Sequence, residues 1–263
     1  MRTARIRPHV EVHDGNGPPA LMVHGILSSR AQWLLNLDAL RTVCTPVVME
    51  LWGHGRSPLP DNPEPYAPGG YVETFESIRD DIGADRWFVI GQSLGAALTL
   101  RYALDHHERV IAHVFTNSNS ALADARWRDR MTKGAPEMAR RIEAGGSAAV
   151  AAMPVNPRHA KRLPEPVRTA LIEDADAIES RAIGRAIEHT VPDSSVRDQI
   201  VRNQVASLLI AGKRERDFIE PRDFAAATMP KLDVVDLDAG HAVNIGAPDE
   251  FNAAVVEFFS RWR

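Results

Sequence analysis

The stretch FVIGQSLGAAL, residues 88–98, decides the fold. A strand-like run, RWFVIG, enters the pattern Gly91-Gln92-Ser93-Leu94-Gly95, and a largely apolar helical segment, SLGAALTLRYALDHH, leaves it. Gly-x-Ser-x-Gly alone is a weak signal. A buried strand before it and an apolar helix after it make the strand–turn–helix setting of a nucleophile elbow. The turn is too tight for side chains at Gly91 and Gly95, and it forces Ser93 into a strained backbone conformation. In return the Ser93 hydroxyl stands exposed at the carboxyl end of a strand. The backbone N–H of Leu94, at the start of the helix, points toward an oxygen bound beside it.

Outward from this stretch, strand and helix signals alternate. Residues 20–25 (ALMVHG), 45–50 (TPVVME), 86–91 and 110–117 (VIAHVFTN) read as buried strands. A helix is expected in AQWLLNLDALR, where Trp33, Leu37 and Leu40 share a face, and another over residues 71–83. From residue 118 to 204 helix signals continue without a convincing strand, punctuated by prolines. Strands return at residues 205–212 and 231–238, and Phe251, Ala254, Val255, Phe258, Phe259 and Trp262 form the stripe of a final helix. Alternating strands and helices imply a parallel sheet covered on both faces. The expected organisation is a core of residues 1–117 and 205–263 with a helical insertion at 118–204.

Composition narrows the function classes. The chain has 263 residues, 44% hydrophobic and 25% charged, with a net charge of −4. That balance gives no reason to expect a nucleic-acid partner or an anionic membrane surface. The lone Cys44 forms no internal disulfide, and the amino terminus lacks the apolar core of a signal peptide, so a cytoplasmic protein is expected. No apolar run approaches the ~20 residues that span a bilayer. No metal-ligand spacing such as His-Glu-x-x-His occurs, and neither a metal nor an organic cofactor is called for. The expected partner is a small-molecule substrate, and the chain is expected to be a monomer or homodimer.

A serine hydroxyl needs a base. Among ten histidines, His241 stands out, because it follows the last strand and so lies at the same sheet edge as Ser93. His24 and His54, in the glycine-adjacent turns HG and GHG, read as structural. The base in turn needs an orienting carboxylate, and the loop GKRERDF after residue 212 offers Glu215 or Asp217. A second oxyanion donor is available from the N–H of Ile26, in VHGILSSRAQW. Trp33 and Trp52 flank these turns and, with Gln92, are candidates to line the substrate pocket.

Together VHGILSSRAQW, ELWGHGRS, GQSLG, GKRERDF and GHAVNIGAPDEF, in this order, resemble the α/β-hydrolase superfamily over nearly the whole chain. The resemblance implies an eight-stranded, mostly parallel sheet with a helical cap inserted after the sixth strand. It leaves only about residues 5–13 for the family's first strands. It makes Ser93 the nucleophile, His241 the general base, and Ile26 and Leu94 the oxyanion donors. Relatives usually read Gly-x-x-Asp in the acid loop, a register that selects Glu215 over Asp217. Some carry the acid after the preceding core strand, where this chain offers Asp124. Relatives also begin the turn after the third strand of this reading with aspartate and proline, whereas this chain has Glu50 and Trp52.

A carboxylic ester or lactone is the expected substrate, cleaved through an acyl-enzyme on Ser93. The menaquinone-pathway synthases of the superfamily are one alternative, although they tend to carry an arginine where this chain has Ala97. Carbon–carbon hydrolases of ring-cleavage products are another. A ligand-binding protein that keeps the fold without turnover is the alternative of a different class. Arg126, Arg128 and Arg130, near the cap entrance, are candidates for holding a substrate carboxylate or for a solvated helix face.

Overall fold

A computed structural model of the protein describes residues 6–262. Seven strands are present: β1 (Val10–Val12), β2 (Pro19–Val23), β3 (Thr45–Met49), β4 (Trp87–Gly91), β5 (Val110–Thr116), β6 (Ser207–Gly212) and β7 (Leu232–Leu237). They form one sheet in the order β1-β3-β2-β4-β5-β6-β7. β1 runs antiparallel to β3 and every other neighbouring pair is parallel. Because β2 to β7 are parallel, their carboxyl ends lie along one edge, and the reversal of order at β2 and β3 opens a crevice there, where open α/β sheets hold their sites.

The sheet is mostly parallel, as expected, but it has seven strands among the described residues rather than eight. Three residues before Pro19 pair with β3, and Pro8, which lacks a donor, precedes them. Arg5, at the start of the segment assigned to the first strands, lies outside the described residues.

Among the described residues nine α-helices accompany the strands: α1 (Leu37–Leu40), α2 (Pro68–Asp81), α3 (Leu94–Asp105), α4 (Ala125–Ala152), α5 (Glu165–Asp176), α6 (Ser180–Arg185), α7 (Ile219–Thr228), α8 (Val243–Gly246) and α9 (Pro248–Ser260). The helix expected after β2 is broken. A 3-10 turn, Arg30–Trp33, is capped by Ser29, and the short α1 follows. Asn36, between them, is fully buried, and its side-chain amide bonds Asn244 and Asn252.

Strand alternation sorts the core onto two faces. Ala20, Met22, Val48, Phe88 and Ile90 face α9 and pack on Phe251, Val255, Phe258 and Phe259. Leu21, Val23, Val47, Trp87 and Val89 face α2 and α3. Phe88 and Phe259 stack with centroids 4.0 Å apart. Between β5 and β6 the chain makes α4, α5 and α6 and a π-helical turn, Ala186–Thr190. Their apolar side chains Ile142, Val150, Ile178, Ile183 and Ile187 cluster with Leu27 of the loop after β2. The final stripe is shorter than expected: Trp262 lies past the end of α9 and is 46% exposed.

Phe259→Ala should therefore cost about 3–5 kcal/mol of stability, whereas Trp262→Ala should stay within about 0.5 kcal/mol of wild type. Urea unfolding of the two variants checks this; equal losses would contradict the assignment of the α9 stripe.

Candidate active site

Ser93 occupies the turn between β4 and α3 with φ 53° and ψ −118°. Close approach on both sides explains the flanking glycines. A Cβ on Gly91 would lie 2.1 Å from Thr99 Oγ1, and one on Gly95 would lie 2.2 Å from the Val23 carbonyl oxygen. The half-buried hydroxyl stands at the carboxyl edge of the sheet. Leu94 opens α3, so its N–H has no acceptor within the helix.

The structure brings Ser93, His241 and Glu215 together from three loops after β4, β7 and β6. Ser93 Oγ is 2.8 Å from His241 Nε2, and His241 Nδ1 is 3.0 and 2.9 Å from the two oxygens of Glu215. Burial alone would raise the Glu215 carboxyl. Hydrogen bonds from His241, Asn117 and Asn119, together with the charge of His241, outweigh it and hold the group below the ordinary carboxylate range. An ionised carboxylate only accepts hydrogen bonds. The proton therefore sits on Nδ1, which leaves the Nε2 lone pair toward the Ser93 hydroxyl.

The other acid candidates lie elsewhere. Asp217 is exposed in the 3-10 turn Arg216–Phe218. Asp124 accepts the Trp127 N–H at 2.7 Å as the N-cap of α4. Two further carboxylates near the end of β7, never candidates for the acid, pair with arginines: Asp236 with Arg222 and Asp238 with Arg214.

Ile26 lies in the loop after β2, beside Ser93: a Cβ on the preceding Gly25 would be 2.8 Å from Ser93 Cβ. The next residue, Leu27, is buried at φ 55°, a conformation that bulky side chains avoid. Its N–H donates to His54 Nε2 at 3.2 Å. The Leu51 N–H donates to His24 Nε2 at 3.1 Å, and each ring's Nδ1 bonds a backbone carbonyl, Gly25 for His24 and Trp52 for His54. These two buried rings tie the loops after β2 and β3 together. Glu50 adds to the tie by accepting the N–H groups of Arg30 at 3.3 Å and Arg56 at 2.7 Å.

The three expected pocket residues are all buried. Trp33 is fully buried in the α9-side core, and Trp52 is buried on the α2 side. Trp52 borders a groove of about 1110 Å³ with Val10, Pro65 and Ile78, which contains none of Ser93, His241 or Glu215. Gln92 is buried beneath the site, its Nε2 donating to the His241 carbonyl oxygen at 3.5 Å. Arg126 and Arg130 are exposed, and Arg128 pairs with Asp198, so the arginine cluster belongs to a solvated face.

Sequence reasoning missed two supporting groups. Asn117 and Asn119 donate to Glu215. A buried amide network also joins the loop after β2 to the helix after His241. Ser28 donates to Gln32, Gln32 and Asn244 exchange bonds, and Asn36 links Asn244 to Asn252. Asparagines inside apolar helical stretches were the available signal.

The fold and this edge of the sheet define an α/β protein with a serine–histidine–carboxylate arrangement. A profile described as Alpha/beta hydrolase family matches residues 20–254, and the chain belongs to that family. The (Lyso)-N-acylphosphatidylethanolamine lipase of Bos taurus is 35% identical over 94 residues, 35% of this chain and 28% of that protein. The chain thus spans little more than a quarter of the length of such curated relatives. The solved structure of MenH from S. aureus superposes with a TM-score of 0.83 at 16% identity, covering 96% of this chain and 98% of that one. An esterase from Exiguobacterium antarcticum gives 0.79 at 14% identity over 96% and 95%. At such identities the likeness speaks for the fold alone. Among the described residues no helix is long and apolar enough to cross a membrane.

Three buried histidines outside the Ser93–His241–Glu215 cluster set an acid limit on stability. Burial pushes His24 down to about 3, with the neighbouring His54 adding to it, His54 to about 4 and His113 to about 3. In the unfolded chain each returns to about 6.5. As pH falls from about 6.5 toward about 4, the unfolded state takes up protons that the folded state refuses, so stability is lost on the acid side. Each ring adds about 1.4 kcal/mol of loss per pH unit in that window. Urea unfolding at a series of pH values should show this slope, reduced by one ring's share in His113→Gln. An identical slope in that variant would contradict the assignment.

Proposed function

We propose that this protein is a serine hydrolase that cleaves a small carboxylic ester or lactone through an acyl-enzyme on Ser93. The observation that carries the reading is the continuous chain of hydrogen bonds from Ser93 Oγ through His241 to Glu215. His241 Nε2 takes the Ser93 proton as Oγ attacks the carbonyl carbon. The N–H groups of Ile26 and Leu94 receive the developing oxyanion. His241 then gives its proton to the leaving alcohol oxygen, and the ester bond breaks. Water enters, loses a proton to His241, attacks the acyl carbon and releases the acid, with the proton returning to Ser93.

In this reading residues 118–204 form a cap that shapes substrate choice. Ile26 and Leu27 pack against its aliphatic side chains, Met153 among them, while its arginines at positions 126, 128 and 130 lie on a solvated face. This supports an uncharged, apolar substrate over one that must be held through its own carboxylate. It also weakens the elimination and carbon–carbon hydrolysis alternatives, in keeping with the buried Ala97 in place of an arginine.

Hydrolysis of neutral p-nitrophenyl esters should disappear in Ser93→Ala. Glu215→Gln should lose about 10³-fold or more in kcat, and Asp217→Asn should stay within about twofold of wild type. A larger loss at Asp217 would refute the acid assignment, and full activity of Ser93→Ala would refute the mechanism.

A further inference from the structure

Glu215 is one methylene longer than an aspartate, and its extra rotatable bond must be held if the carboxylate is to face His241. Two amides do this. Asn117, the residue after β5, is fully buried. Its Oδ1 accepts the Gly212 N–H at 2.8 Å, and its Nδ2 donates to Glu215 Oε2 at 2.6 Å and to the Gly212 carbonyl oxygen at 3.3 Å. Asn119 Nδ2 donates to the other oxygen, Oε1, at 3.3 Å. Gly212 lies directly beneath the histidine loop, where a Cβ would come within 2.2 Å of the Gly240 carbonyl oxygen. One side chain thus joins the ends of β5 and β6 and the acid. With each oxygen pinned by a different amide, the carboxylate stands nearly symmetrically before His241 Nδ1, at 3.0 and 2.9 Å.

We propose that Asn117, with Asn119, is a positioning residue for the reaction, fixing the Glu215 carboxylate so that it orients His241. The inference rests on the serine-hydrolase reading above. Neither asparagine touches the reacting atoms; both act through Glu215. Their donated hydrogen bonds also stabilise the carboxylate charge, so removing them makes Glu215 more basic. The Glu215–His241 pair then takes up a proton at higher pH, and the acid limb of the kcat/KM profile moves upward.

Two variants separate this role from a merely structural one. Asn117→Asp keeps the size and the acceptor for the Gly212 N–H, but replaces the donor to Glu215 with a carboxylate oxygen. Asn119→Ala removes one donor from a half-buried loop residue and is chosen to leave the fold intact. Activity is expressed per active site, titrated to completion with a fluorophosphonate, and Glu215→Gln is the reference. Asn117→Asp should lower kcat by about 10- to 100-fold and Asn119→Ala severalfold. KM should change little, and the acid limb should move to higher pH in both. The proposal is overturned if both variants keep the wild-type kcat per titrated site and the wild-type limb while Glu215→Gln is inactive. A fully active Glu215→Gln, or a wild-type protein that the fluorophosphonate does not label, overturns the underlying reading and the proposal with it.

Discussion

The elbow at Ser93 is the constraint on which the rest of the site depends. A non-glycine residue held at positive φ costs roughly 1–3 kcal/mol. It persists because what lies on either side cannot move. All five residues of β4 are buried, the helix after it is apolar, and Gly95 is pressed against the carbonyl of Val23 in the neighbouring strand. The two glycines are therefore consequences of packing. Once the elbow is fixed, the Ser93 hydroxyl has a defined place at the sheet edge, and the loops after β2, β6 and β7 are built to meet it.

Those loops are held by polar networks as well as by apolar packing. The His24–His54 pair and Glu50 bind backbone N–H groups of the loops after β2 and β3. The amides of Gln32, Asn36, Asn244 and Asn252 tie the first of these loops to the segment that carries His241. Asn117 ties the acid to the sheet. Buried polar groups are costly unless satisfied, and networks that are satisfied rigidify a structure. Irregular backbone at the edge of a sheet has few ladder bonds to hold it, so side-chain amides and neutral imidazoles take over that role.

Much of this was legible in the sequence because it is written in local patterns. Strand–turn–helix around Ser93, the alternation of β and α, and a histidine just past the last strand each occupy a short window. The loop after β6 offered both Glu215 and Asp217, and only the resemblance to the family's acid loop favoured Glu215. What was not legible depends on the pairing of distant segments. Asn117 reaches Glu215 only because β5 and β6 are parallel with Thr116 beside Ile210, a register that no window contains. Trp33 and Trp52 sit next to site turns in sequence, yet side-chain direction sends both into the core. The broken helix after β2 was hidden because the bonds that Asn36 makes reach residues more than 200 positions away in the chain.

Whether Ser93 is an activated nucleophile can be read from the mass of the protein after exposure to a fluorophosphonate. One phosphonyl adduct per chain is expected, located on the peptide containing Ser93 and absent from a folded Ser93→Ala variant. A folded wild-type protein that gains no mass, or one that carries the adduct on a different residue, would contradict that role for Ser93.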